Sequence, residues 1–126
     1  MKTQPTKIDI VVIGGGAAGL MAAIHAKTDT NTVMVLEKNT TCGKKLRITG
    51  GGRCNITNNT QSVRTLVSRY KEAGKFLFSP LSQFGVAETI DWFTSIGVPV
   101  YEEAEGRMFP VSQSAVAVTE ALLAEA

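Results

Sequence analysis

Cysteine is scarce in this 126-residue chain: it has two, Cys42 and Cys54, twelve positions apart. Two cysteines are too few to staple a disulfide scaffold, and the spacing is wrong for a redox dithiol of closely spaced cysteines. Two reduced thiols in a reducing, cytoplasmic setting are expected, with a meeting of the two in space as the alternative. Histidine occurs once, as His25 within a helical stretch, so no triad and no histidine metal site is available. A solvent-facing role is expected for it. Net charge is only +2, which points to neither nucleic acid nor an anionic membrane. No apolar run approaches the roughly 18–20 residues of a membrane span. The N-terminal MKTQPTK is followed by an apolar run that contains Asp9 and goes straight into glycines, which speaks against a signal peptide.

What the chain does have is a normal globular share of hydrophobic residues, 44%, in one domain's length. Residues 8–13, IDIVVI, form a β-branched run that fits a buried parallel strand. Residues 17–27 have helix propensity, 29–32 read as a turn, and 33–37, VMVLE, as a second apolar strand. Together they make a βαβ unit. A glycine-rich loop spans 39–61. A helix is predicted over 62–73 with Gly74 as its stop, and a break at Ser79–Pro80. A further helix is predicted over 87–96, ending at Gly97. Two short strands over 98–101 and 107–109 flank an acidic turn, 102–106, read as a solvated tip. A last helix over 113–126 takes Ser112 as its N-cap. Trp92, Phe93 and Met21 are read as packing residues. Two parallel strands do not complete the βαβαβ of a mononucleotide-binding half, so 1–126 is read as the N-terminal part of a dinucleotide-binding domain in a longer chain.

Gly14-Gly15-Gly16-Ala17-Ala18-Gly19 is G-x-G-x-x-G directly after a strand and opening a helix. Gly14 permits the tight turn. Gly16 lets a pyrophosphate approach the backbone, and Gly19 lets the helix pack against the strand. Amides near Ala17 and Ala18 then point at the pyrophosphate with the positive end of the helix dipole. Glu37 ends the second strand about 20 residues on, where a carboxylate accepts from ribose hydroxyls and would repel a 2′-phosphate.

The run CGKKLRITGGGRCN, 42–55, is not a Walker A loop: no glycine stands five before Gly43, and no Ser or Thr follows the lysine. It carries no aromatic residue for stacking on bases, so no nucleic-acid partner is expected through it. What remains is bare backbone at Gly50, Gly51 and Gly52 on which something flat or anionic can lie, with Lys44, Lys45, Arg47 and Arg53 supplying positive charge.

The stretch GKKLRITGGGRCNITN, following IGGGAAGLMAA and VLEKN, resembles the BaiN-type flavoproteins, the aminoacetone-oxidase-like family of FAD-binding enzymes. The later run from Phe76 to Ser112 is similar to that family as well, so the likeness covers nearly the whole chain. Members are much longer chains in which an inserted domain interrupts the FAD-binding fold. The resemblance implies that Gly14, Gly16, Ala17, Ala18 and Gly19 hold the FAD pyrophosphate and that Glu37 binds the adenosine ribose with Lys38 beside it. By analogy with fumarate-reductase-like flavoproteins, it also implies that Thr49, Gly50, Gly51 and Gly52 lie along FAD, with Lys45 near the phosphates. Arg53 and Asn55 follow as candidates for the substrate side. At 112–118, SQSAVAV, the chain departs from the family's more charged run.

The expectation is an α/β, Rossmann-like βαβ unit with parallel strands, plus helices and a short β-hairpin, serving an FAD-dependent oxidoreductase. The alternatives are an NAD-dependent dehydrogenase and a truncated, non-catalytic nucleotide-binding chain. The long glycine-rich loop speaks against the dehydrogenase, whose fold proceeds directly to a helix. No catalytic residue, metal ligand, substrate or electron acceptor is named by the sequence.

Overall fold

The computed structural model describes residues 7–126; residues 1–6, most of the stretch weighed as a signal peptide, lie outside them. β1 (Ile10–Ile13) and β2 (Val33–Leu36) pair in parallel, with Ile10 opposite Val33 and Ile13 opposite Leu36. Helix α1 (Ala17–Ala26) crosses between them, so the expected βαβ unit is present. It is built as a one-sided layer. Leu20 and Ala23 of α1 are buried, whereas Val11, Ile13, Met34 and Leu36, on alternate strand positions, are exposed. The apolar runs therefore do not make strands buried on both faces within this chain. Their period of two puts half the side chains on a face that no described element covers.

The core lies off the sheet, on the far side of α1. Leu20 packs with Cys54, Phe93, Val98 and the buried residues Ala115, Val118 and Leu122. The last three belong to α5 (Ala115–Glu125). Trp92 and Met21 pack against this cluster, and His25 is exposed with its ring against Phe84 and Trp92.

From the end of the βαβ unit to the start of α5 the sequence reading needs correction in five places. Inside the loop 39–61 the chain forms a two-residue strand, β3 (Thr57–Asn58). It joins β4 (Val100–Glu102) and β5 (Arg107–Pro110) in an antiparallel sheet ordered β3-β5-β4, so the expected hairpin is two strands of three. Short polar strands carry no periodic signal, and only their partner reveals them.

The helix over 62–73 is a six-residue α2 (Val63–Ser68), whose Ser62 cap accepts from Thr65, followed by a 3-10 turn. Gly74 does not stop it. With an ordinary φ of −57° it begins α3 (Gly74–Gln83), and a Cβ there would stand 2.3 Å from the Val67 carbonyl oxygen. This glycine serves close approach and not a left-handed cap. Pro80 lies within α3, where it cannot donate the bond back to the Phe76 carbonyl, but the helix continues to Gln83.

The last cap is Ser114, whose hydroxyl accepts from Ala117, and not Ser112. Gln113 in a left-handed conformation delays the helix by two residues. By contrast α4 (Val86–Ser95) ends as predicted at Gly97, φ +81°. Gly97 donates to Thr94 and Val98 to Phe93, and the buried Val98 and Phe93 share one cluster, which is a full Schellman motif. No helix among the described residues is long and apolar enough to cross a membrane.

Candidate functional site

The turn from β1 into α1 explains each glycine by a different distance. Gly14 sits at φ +98°, a conformation that side chains disfavour, and donates to the Leu36 carbonyl at 2.7 Å. A Cβ on Gly19 would lie 1.8 Å from the Gly14 carbonyl oxygen, so α1 packs on the strand's end only through glycine. A Cβ on Gly16 would meet nothing within 4 Å and would project into open space. Gly16 is also the N-cap of α1, and no side chain caps the helix. The first amides, at Ala17 and Ala18, are left for an anion.

Gly15 is the buried centre of the turn. Its amide donates to Glu37 Oε2 at 2.8 Å, and its carbonyl accepts from the Gly43 amide at 2.7 Å. A Cβ there would stand 2.3 Å from Cys42 Sγ. One residue thus ties together the first glycine turn, the end of β2 and the start of the second motif. Glu37 Oε1 accepts from the Asn39 amide at 2.8 Å and from the Asn39 side chain. The Asn39 amide, then that of Gly15, holds the Glu37 carboxyl below the ordinary carboxylate range, against a small opposing effect of burial. A carboxylate offers about four lone-pair sites. Three are taken, which leaves one on Oε2.

These segments enclose a cleft of about 870 Å³. Of the sequence-predicted residues, Gly14, Gly16, Ala17, Ala18 and Gly19 line it, and so do Glu37, Lys38, Lys45 and Thr49. Lys44 adds a third lysine to its wall, and Ile13 and Leu36 give it apolar surface. The cleft therefore has uncapped helix amides, a cationic wall and an anchored carboxylate.

The family model of the HI0933-like protein Rossmann domain matches residues 8–126. The chain belongs to that family. Among curated proteins it is similar to the 3-dehydro-bile acid delta(4,6)-reductase of Clostridium scindens, 38% identical over 115 residues, which is 90% of this chain and 27% of that protein. It is similar also to the ribosomal RNA dihydrouridine synthase of Escherichia coli, 29% identical over 110 residues, 82% of this chain and 25% of that protein. The Haemophilus influenzae protein of the same name is 28% identical over 99 residues, 79% of this chain and 24% of that one. The chain spans about a quarter of the length of these curated relatives.

In this HI0933-like domain the second motif divides between two tasks. Thr49 lines the cleft, its hydroxyl donating to Leu46, but Gly50, Gly51 and Gly52 lie outside the lining. All three are left-handed, at φ +55°, +66° and +85°, which makes a sharp reversal only glycines take without strain. Gly50 is pressed on the antiparallel sheet, where a Cβ would stand 2.9 Å from Phe109.

Arg53, a candidate for the substrate side, packs against that sheet. Its guanidinium lies 4.1 Å over the Phe109 ring, pairs with Glu103 at 2.7 Å and donates to Gln113 at 3.1 Å. Glu103 in turn accepts from the Tyr101 hydroxyl, and that bond first, then Arg53, holds its carboxyl below the usual range. The acidic turn is thus not wholly a solvated tip: Glu103 anchors the glycine loop. Asn55 also serves the sheet, its amide oriented to donate to the Met108 and Thr57 carbonyls at 3.1 and 2.9 Å. Arg47 does not line the cleft, and its Nε is buried without a hydrogen-bond partner.

Sequence reasoning missed Gly15, Asn39 and Gly43. Gly15 reads as a free position of the motif because its constraint comes from Cys42, far along the chain. Gly43, at φ +70°, is buried, and a Cβ there would stand 2.4 Å from Thr119 of α5, which no local pattern reveals. Asn39 had a local signal: an amide two residues after a strand-ending acid is placed to fold back on it.

Proposed function

We propose that this chain forms the ADP-binding part of an FAD-dependent oxidoreductase. The observation that carries the reading is the convergence on Gly15, which joins the pyrophosphate turn, Glu37 and the second motif in one cleft. The residues present fit the ADP portion of FAD. Gly16 leaves room where a Cβ would stand, and the Ala17 and Ala18 amides with Lys44 and Lys45 suit two phosphates. The remaining Oε2 lone pair of Glu37 accepts from a ribose hydroxyl, and its charge disfavours a 2′-phosphate. Bound FAD supplies hydride transfer, while this chain binds and orients its adenosine end. The relatives' names divide between a bile acid and ribosomal RNA, but a reductase and a dihydrouridine synthase both add hydrogen to their substrate. That shared reaction type is what we carry to this chain, as reduction of an unsaturated substrate. A nicotinamide dehydrogenase is disfavoured, because β2 leads into a 3-10 segment, Leu46–Gly52, and not directly into a helix.

Calorimetric titration of the chain with ADP, FAD and FMN tests the reading. ADP and FAD are expected to bind with similar affinity and FMN much more weakly. The Gly16→Val variant should lose both ADP and FAD while keeping its circular dichroism spectrum. No saturable ADP binding, or equal binding of FMN, would overturn it.

A further inference from the structure

The carboxylate that follows β2 is held more fully than ribose recognition requires. A free carboxylate has two oxygens and about four lone-pair sites, enough to accept from both hydroxyls of a vicinal diol, one on each oxygen. Glu37 is not free in this way. Its Oε1 accepts from the Asn39 backbone amide at 2.8 Å and from the Asn39 side-chain amide at 2.5 Å, so that oxygen is filled. Its Oε2 accepts from the Gly15 amide at 2.8 Å and keeps one site. The donors come from separate segments, Gly15 from the glycine turn 22 residues before Glu37 and Asn39 from two residues after it. All three residues line the cleft. Asn39 is itself exposed, and among the described residues its side chain bonds to Glu37 alone. It belongs to no core cluster, so its bond to the acid is local, of the kind by which an asparagine folds back on its own neighbourhood.

We propose that Asn39 is a positioning residue of the cleft, and that by filling Oε1 it makes Glu37 the reader of a single ribose hydroxyl, through Oε2 alone. The proposal rests on ADP as the ligand of the cleft. Asn39 then does two things. It stops the carboxylate from rotating, which leaves less freedom to lose when a nucleotide binds. It also occupies the oxygen that a second hydroxyl would need. The competing account is that Asn39 only pins the turn after β2. A pin of that kind acts on the fold and is indifferent to which hydroxyls the ligand carries, whereas a positioning role is felt only by ligands that bring the hydroxyl Glu37 reads.

The test is calorimetric titration of the chain with ADP, 2′-deoxy-ADP and 3′-deoxy-ADP. One deoxy analogue should bind about tenfold more weakly than ADP, and the other within about twofold of it. Asn39→Ala should weaken ADP and the tolerated analogue about fivefold, yet barely change the analogue that already lacks the hydroxyl. Residual ADP binding by the variant also reports that it is folded. Equal weakening of both deoxy analogues, or of neither, would overturn the proposal. So would an Asn39→Ala variant that binds ADP as the parent does, or that loses all three ligands to the same extent. Absence of ADP binding by the parent chain would overturn the reading of the cleft itself, and the proposal with it.

Discussion

The Gly43 amide donates to the Gly15 carbonyl at 2.7 Å, a bond between two residues that contribute no side chain. Through it the second motif is held against the first glycine turn, and the lysines that follow Gly43 arrive at the cleft wall. The bond is backbone to backbone, so substitutions test it only through space. Gly43 has that sensitivity, with Thr119 of α5 on its other side. Gly43→Ala is expected to destabilise the fold by about 1–3 kcal/mol, from a left-handed φ and a clash in a packed region. Thr119→Ser, which removes the clashing methyl, should restore part of the loss in the double variant. Thermal melts of the two single variants and the pair would show the coupling; simple additivity would contradict it.

Gly16 and Gly19 should fail in opposite ways. Gly19→Ala forces a Cβ to 1.8 Å from the Gly14 carbonyl oxygen and should destabilise the whole chain. Gly16→Ala, at φ −81° with open space around it, should melt within about 0.5 kcal/mol of the parent yet bind ADP more weakly. Melting temperature and ADP titration together separate the two. A Gly19→Ala chain as stable as the parent would show that α1 can shift from the strand.

Acid should destabilise the chain through identifiable carboxylates. Asp9 is held below its ordinary range by Lys7 and the Thr32 amide, Glu37 by the Asn39 and Gly15 amides, and Glu103 by Tyr101 and Arg53. A group whose folded pKa is depressed adds stability above its unfolded value and loses it as pH falls through the folded one. Melting temperature should therefore be flat in this respect from about pH 7 to 5 and fall below about pH 4. Glu37→Gln should shallow that fall. An unchanged acid limb would mean that the Gly15 and Asn39 bonds to Glu37 are not kept in solution.

The two cysteines should differ in reactivity. Both are free; Cys54 is 2% exposed, and burial pushes its thiol pKa up, while Cys42 is half-buried. A disulfide-exchange reagent should titrate one thiol quickly in the native chain and both in denaturant. Fast modification of both thiols in the native chain would place Cys54 outside the core.

The uncovered sheet face should make the isolated chain associate. Val11 and Met34 are 50% and 39% exposed on adjacent strands, beside a β1 edge that no described strand pairs. Sedimentation velocity should show concentration-dependent association, reduced in Val11→Lys with Met34→Lys. We also expect FAD to be lost from the chain during gel filtration, because only its adenosine end finds a site here. A monomer carrying near-stoichiometric flavin would contradict both expectations.

The sequence by itself determined the elements whose cause is local. The β-branched runs, the glycine spacing and the strand-ending Glu37 specify the βαβ unit and its glycine turn, because each rests on neighbours a few residues away. Gly97 ends α4 for the same reason. Tertiary structure decided everything whose partner is distant. It placed β3 beside β5 and paired Arg53 with Glu103. It made Gly74 a contact and not a stop, and it fixed Gly15 and Gly43 as glycines through Cys42 and Thr119. It also put the core beneath α1 and α5 and left half of the strand side chains bare. Local propensity is written in short-range steric and hydrogen-bonding preferences. A close approach between segments exists only once the chain has folded, so the residue that permits it carries no mark in its own neighbourhood.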